Sequence, residues 1–385
     1  MQIFHSCLSK DSTMRLETLA VHAGADVDPT TGAIAPPIHL STTFEHGPAC
    51  EETHGYSYIR EKNPTQTRLE DAMAKLEGGE TALAFASGMG ALCAVMQSLE
   101  PGAHVIFPDD AYTGFRNLYR EFLSHWAIEY TVVDMTSHAA IQSAIRPSTK
   151  LVVAESPSNP MMKITDLAAA AGITHAAGAD LLVDNTFATP MLQRPLEFGA
   201  DLVLHSTTKY CGGHSDVQGG CLVLKSSASW KDRLYRTRMI MGAAASPFNS
   251  WLILRGLRSL DCRMERHSSN AAKVAAALET STKVERVCYP GLASHPGHDL
   301  ARRQMKAFGG MLSFQLRDGY DDAIRVASRV KLFTNATSLG GTESLIEHRA
   351  SSEGQGTKVP QSLLRVSVGL EHADDLIEDL LQALG

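Results

Sequence analysis

The sequence predicts an α/β protein: an open, mostly parallel sheet followed by a smaller α+β unit. Three observations predict it. Short apolar runs alternate with helical stretches between residues 80 and 225, which implies parallel strands joined by crossover helices. The runs are short and apolar on both faces, as buried parallel strands tend to be. From about residue 245 the pattern gives way to a long helical stretch and then isolated strands. The boundary is therefore placed near 245, with residues 46–245 as the first domain and 246–385 as the second. Residues 1–45 are expected to form an arm that packs elsewhere, on another subunit.

The elements follow in order. In "NPTQTRLEDAMAKLEGG", Pro64 suits a helix start, Leu69, Ala72, Met73 and Leu76 share a face, and Gly78 is placed to stop the helix. Strands are expected at "TALAF" (81–85), "HVIF" (104–107), "TVVD" (131–134), "LVVAE" (151–155), "LLVD" (181–184) and "DLVLH" (201–205). In the second unit, "MLSFQL" (311–316) and "LLRVSVGL" (363–370) read as strands. Ligands in open parallel sheets bind on the loops at the carboxyl ends of the strands.

Composition narrows the class. Of 385 residues, 44% are hydrophobic and 20% charged, which is ordinary for a globular protein. The net charge of −7 and the lack of a basic run argue against nucleic acid and against an anionic membrane surface as partner. No run approaches the ~18 apolar residues of a membrane span. Seven scattered cysteines include no CxxC pair, so reduced thiols in a cytoplasmic protein are expected. Residues 1–13 show no signal-peptide pattern and are expected to be a loose tail, with Met14 as an alternative start.

Four loops fall at strand ends. "FASGMGA" (85–91) opens a helix with small residues, which lets backbone N–H groups approach an anion. A plain strand-to-helix turn is the competing reading. No GxGxxG or Walker pattern supports a nucleotide. "VDNTFATP" puts Asp184 at the end of a very apolar strand, where a carboxylate is costly unless paired. "ESPSNP" (155–160) ends another strand in polar groups. "HSTTKYCGGHSD" sets Lys209 just past a buried strand, flanked by hydroxyls. A lysine, a carboxylate and an anion nest together are what pyridoxal phosphate requires. Burial there lowers a lysine pKa from its free value of ~10.4, which an amine nucleophile needs. His205 and His214 show no HxH or HExxH spacing, so no metal is expected.

With "YSYIREKNPT", "SLGGTESL" and "LLRVSVGLE" in the same order, the chain resembles the Cys/Met metabolism family of pyridoxal-phosphate enzymes from Leu16 to Leu384. The resemblance implies the fold type I, aspartate-aminotransferase-like architecture. It also implies a role for each matching residue. Lys209 would join the cofactor aldehyde and shuttle protons, Asp184 would hold the pyridinium nitrogen, and Tyr112 would stack on the ring and act as a catalytic acid–base group. Gly88 and Met89, with Ser206 and Thr208, would bind the phosphate, and Asn159 would approach the ring hydroxyl. Tyr58 and Arg60 would reach a neighbouring subunit's cofactor, implying a homotetramer of paired dimers with shared sites. Arg365 would clamp the substrate carboxylate, with Ser338 helping through its loop.

The implied reaction is γ-elimination or γ-replacement on sulfur amino acids or acyl-homoserines, of cystathionine γ-synthase or γ-lyase type. Cystathionine β-lyase, O-acylhomoserine sulfhydrylase and methionine γ-lyase are the alternatives; a non-catalytic binding or regulatory protein is the alternative of another class. Several positions depart from the family pattern. Ser57 stands where an acid often precedes the Tyr-x-Arg tyrosine, and retained Glu343 is expected to do part of that work. Asn117 stands at a common arginine position, and Gly114 counts against methionine γ-lyase activity. Residues 347–357, "EHRASSEGQGT", replace a familiar segment and are expected to alter access to the site.

Overall fold

The structure is a computed structural model, and it describes residues 14–354 and 357–385. The tail expected over residues 1–13 lies outside the described residues. Seven strands form the larger sheet: β1 (Thr81–Phe85), β2 (His104–Pro108), β3 (Glu129–Val133), β4 (Thr149–Glu155), β5 (Asp180–Asp184), β6 (Leu202–His205) and β7 (Gly220–Leu224). Their order is β1-β7-β6-β5-β4-β2-β3. The pairs from β3 through β6 are parallel, and β7 runs antiparallel between β1 and β6.

Strand β7 was not among the expected strands. It follows β6 through a loop with no crossover helix, so it can only return antiparallel. It leaves β1 running the same way as β6. Consequently β1, β2, β4, β5 and β6 all end on one edge of the sheet, and their following loops gather there.

The expected helix spans Pro64–Glu77. Asn63 caps it, its Oδ1 accepting from the Thr65 N–H at 2.9 Å, and Gly78 ends it in the left-handed region at φ 75°. Its apolar face buries Leu69, Met73 and Leu76 fully. Helix Pro247–Leu257 packs on it, and Leu254 and Leu257 join the same core. The helix Leu16–His22 lies in the expected arm. It packs against the helix Pro64–Glu77 of this chain, with Leu19, Ala20 and the adjoining Ala23 in that core.

The smaller sheet has five strands: β8 (Val284–Cys288), β9 (Met311–Leu316), β10 (Thr334–Asn335), β11 (Leu345–His348) and β12 (Leu363–Ser367), in the order β10-β11-β12-β9-β8. The run expected as a strand to residue 370 pairs only to Ser367. Strands β8, β10 and β11 were not expected from the sequence; β10 and β11 are too short to show a period. Helices Leu260–Glu279 and Ala373–Leu384 cover this sheet over a second core that includes Phe314, Ile346, Val366 and Leu376. Ser313 Oγ of β9 donates to the Pro160 carbonyl at 2.8 Å, tying the smaller sheet to a loop of the larger one.

Candidate active site

A cavity of about 530 Å³ lies where the carboxyl ends of β1, β4, β5 and β6 meet the smaller sheet. Its lining includes Gly88, Met89, Tyr112, Asn159, Asp184 and Ser206, together with Thr208, Lys209, Ser338 and Arg365. Ten of the sequence-predicted residues therefore share one space. Tyr58, Arg60 and Glu343 do not line it. Tyr58 and Arg60 are exposed; the Arg60 guanidinium sits 5.4 Å from the Tyr58 ring centroid and donates to the Met239 carbonyl at 3.2 Å. Glu343 accepts from the Ser215 hydroxyl outside the cavity.

Lys209 sits just after β6 and extends into the cavity. Its Nζ donates to Ser338 Oγ at 2.7 Å. Burial lowers its pKa to about 8, and the Arg365 charge pushes the same way. Ser338 holds φ at 81°, a left-handed conformation that costs a residue with a side chain. That conformation lets one residue serve two groups, since its carbonyl accepts from Arg365 at 3.0 Å.

Asp184 ends β5, which is buried along nearly its whole length. Burial raises its carboxyl above the usual aspartate range, while the hydrogen bonds from Thr186 pull it back. The Thr186 N–H reaches Asp184 Oδ1 at 2.9 Å, and Thr186 Oγ1 accepts from the Ser206 N–H at 2.9 Å. The carboxylate and the loop leading to Lys209 are thus held to each other.

The helix Gly88–Gln97 opens on the cavity. Ser87 caps the Gly90 N–H at 3.0 Å. The first-turn N–H groups of Gly88 and Met89 have no intrahelical carbonyl to reach. A Cβ at Gly88 would come 3.0 Å from Ser206 Cβ, so any side chain there would have to displace Ser206 by a few tenths of an ångström. The unpaired first-turn N–H groups, the helix dipole and the Ser206 hydroxyl make an anion cradle, beside Thr208, whose hydroxyl donates to the Gly219 carbonyl at 3.1 Å. With the lysine on one side and a buried carboxylate on the other, the donor set fits pyridoxal phosphate.

Several lining residues were not singled out from the sequence. Glu155 ends β4 as Asp184 ends β5, so the same signal could have found it. Its Oε2 accepts from the Tyr112 N–H at 2.9 Å, which fixes Tyr112 at the cavity mouth. Burial, and the nearby Asp184 carboxylate, raise its pKa well above the usual range, and its Oε1 has no hydrogen-bond partner. Glu347 and Arg349 come from the segment expected to alter access. The β11–β12 register sets Glu347 opposite Arg365. Glu347 Oε2 accepts from Arg365 at 2.6 Å and from Arg349 at 2.9 Å. Arg365 also donates to Asn159 Oδ1 at 3.1 Å. His205 is buried against Glu77 at 2.6 Å on the helix side of the sheet, as a structural pair.

The Cys/Met metabolism PLP-dependent enzyme family model matches residues 17–385, where PLP is pyridoxal phosphate. The chain belongs to the Cys/Met metabolism family of PLP-dependent enzymes. It is 46% identical over 374 residues to the cystathionine gamma-synthase of Mycobacterium tuberculosis (strain ATCC 25618 / H37Rv), covering 96% of each chain. It is 43% identical over 380 residues to the cystathionine gamma-lyase of Bacillus subtilis (strain 168), covering 96% of this chain and 99% of that one. Its fold is similar to the crystal structure of metB from Corynebacterium glutamicum. That match has a TM-score of 0.95 at 43% identity and covers 98% of this chain and 99% of the other. The chain is a PLP-dependent trans-sulfuration enzyme.

Proposed function

We propose that this enzyme works at the γ-carbon of a sulfur amino acid or acyl-homoserine, in the manner of a cystathionine γ-synthase or γ-lyase. The observation that carries this reading is the convergence on one cavity of Lys209, Asp184 and Arg365 with the Gly88 cradle. Pyridoxal phosphate, when bound, supplies an aldehyde for amines and a ring that accepts electrons from the substrate's Cα. Asp184 would hold the proton on the ring nitrogen. Gly88, Met89, Ser206 and Thr208 would hold the phosphate, and Asn159 would serve the ring hydroxyl. Tyr112 would cover the ring at the mouth.

Arg365 binds the substrate carboxylate, a planar donor matched to a planar acceptor. That contact aims Cα at Lys209 Nζ. Lys209 takes the Cα proton, and for a γ-leaving group a second proton from Cβ. Ser338 Oγ orients the amine between these transfers. The lowered pKa leaves a large share of Lys209 unprotonated near neutrality, as a base must be.

We also infer a homo-oligomer, a dimer at least and a tetramer of paired dimers in full. Tyr58 and Arg60 are exposed and do not line this chain's own cavity, which leaves them free to complete a neighbour's phosphate site. The six free cysteines among the described residues suit a reducing, cytoplasmic setting.

Product analysis tests the reaction. The enzyme is incubated with cystathionine, and separately with O-acetyl- or O-succinyl-homoserine plus cysteine. Cystathionine formed from the acyl-homoserines identifies a synthase. Cysteine and 2-oxobutanoate from cystathionine identify a γ-lyase. Homocysteine and pyruvate instead would place the chemistry at the β-carbon and overturn the reading.

A further inference from the structure

Two carboxyl groups stand side by side on the cavity lining. Glu155 ends β4, Asp184 ends β5, and the parallel register pairs them directly. Both line the cavity, and they are only 5% and 8% exposed. Neighbouring strands lie about 4.8 Å apart, so paired side chains share a face at close range. The reaction as proposed uses Asp184 and gives Glu155 no task.

Glu155 is bonded to the parts of the wall that would hold the cofactor ring. Its Oε2 accepts from the Tyr112 N–H at 2.9 Å, and its carboxyl group takes a further hydrogen bond from the Asn159 N–H. Tyr112 lies on the loop after β2 and Asn159 on the loop after β4, so one carboxyl group joins two loops. Around it stand Asp184 from β5, Asp110 from the loop after β2 and Arg365 from β12.

Two adjacent buried carboxyls do not both ionise cheaply, and repulsion in a desolvated site makes one of them keep its proton. Their partners decide which. Asp184 Oδ1 accepts from the Thr186 N–H at 2.9 Å, and a protonated ring nitrogen adds a charged donor once the cofactor is bound. Glu155 is in no ion pair: its Oε2 bonds to a neutral N–H and its Oε1 has no partner. Burial, then the Asp184 charge, pushes its carboxyl well above the usual glutamate range, and burial holds the nearby Asp110 at about 6.

We propose that Glu155 is a positioning residue that works as a neutral acid: it ties Tyr112 to the Asn159 loop around the cofactor ring while leaving Asp184 the only anion beside the ring nitrogen. The proposal rests on the reading that Asp184 serves that nitrogen. A charged Glu155 would tie the loops equally well. It would also set a second anion near Arg365 and weaken that residue's hold on a substrate carboxylate. A neutral Glu155 leaves the Arg365 charge to the substrate.

The test uses holoenzyme with Glu155→Gln and Glu155→Met. The amide copies a neutral acid, since it keeps an acceptor for the backbone N–H groups and adds no charge. Glu155→Gln is therefore expected to retain pyridoxal phosphate within about threefold of the unaltered enzyme, read by dialysis and absorption. Glu155→Met keeps the size but leaves the Tyr112 and Asn159 N–H groups unpaired, and is expected to weaken retention at least about tenfold. Infrared difference spectra of unaltered against Glu155→Gln holoenzyme near neutrality are expected to show the carbonyl band of a protonated carboxylic acid, shifted in deuterium oxide. The ratio of the two enzymes' affinities for L-norleucine, which has no leaving group, is expected to stay constant between about pH 6 and 8, because Lys209 and Asp110 titrate alike in both. A carboxylate band in place of the acid band, a ratio that drifts with pH, or loss of cofactor from the Gln variant would overturn the proposal. Asp184→Asn tests the underlying reading separately. Unchanged cofactor retention there would remove that reading and the proposal with it, whereas weakened retention without the acid band would overturn the role of Glu155 alone.

Discussion

The position of Lys209 combines two requirements that conflict elsewhere on a protein surface: an amine must be reachable and must also lose its proton near neutrality. Partial burial beside Arg365 meets both, and the consequence is a pH dependence of definite sign. Below about 8 the amine is protonated and cannot attack an aldehyde. The rate at which apoenzyme takes up pyridoxal phosphate is therefore expected to rise with pH through about 8, followed by the growth of cofactor absorption after mixing. A flat profile would contradict the assignment. Lys209→Ala is expected to lose the label that borohydride reduction leaves on the chain, and to lower turnover by several orders of magnitude, as removal of a covalent catalyst does. Peptide mapping reads the first effect and product assays the second. At this scale the sequence made Lys209 and Asp184 legible, because a charge just past an apolar strand is costly without a partner. Glu347 and Arg349 were not legible. Nothing in "LIEHRA" says which side chain faces a cavity until β11 pairs with β12.

The elements that build the site are held by caps and close approaches. Asn63 is fully buried. Besides capping Thr65, its Nδ2 donates to the His39 carbonyl at 2.8 Å, so it joins the helix to the chain before it. Asn63→Ala is expected to destabilise the protein by about 1–2 kcal/mol, the worth of a lost cap, measured by denaturant unfolding with cofactor saturating. Gly88 presents a different constraint, set by the 3.0 Å approach of Ser206 rather than by backbone angle. Gly88→Val is expected to weaken cofactor retention at least about tenfold by filling the phosphate cradle, with much less effect on folding. Dialysis followed by absorption measures it. The helix over 64–77 was readable from Pro64, its apolar face and Gly78, because those signals are local. Strand β7 was missed because its direction depends on what lies either side of it. A five-residue apolar run carries no such information.

At the scale of the whole molecule, the proposed sharing of sites gives a sharp prediction. Arg60→Ala subunits lack the contribution to a neighbour's phosphate, while Lys209→Ala subunits lack their own amine. Each variant alone is expected to be impaired. Mixed subunits are expected to regain part of the activity, through sites that combine an intact Lys209 with an intact Arg60 from the other chain. Activity assays after co-refolding the two variants check this, and no recovery at all would count against shared sites. The sequence alone determined the α/β class, the positions of most parallel strands and the cofactor, and it pointed to Lys209, Asp184 and the Gly88 turn as the residues proposed to hold it. Those depend on residue type and short-range spacing, which the chain carries explicitly. Only the tertiary structure decided that Glu343 lies outside the cavity while Glu155, Glu347 and Arg349 line it. It also showed that the helix Leu16–His22 packs on its own chain. Those outcomes turn on which strands pair and in what register, and pairing between segments distant in sequence is a property of the folded chain.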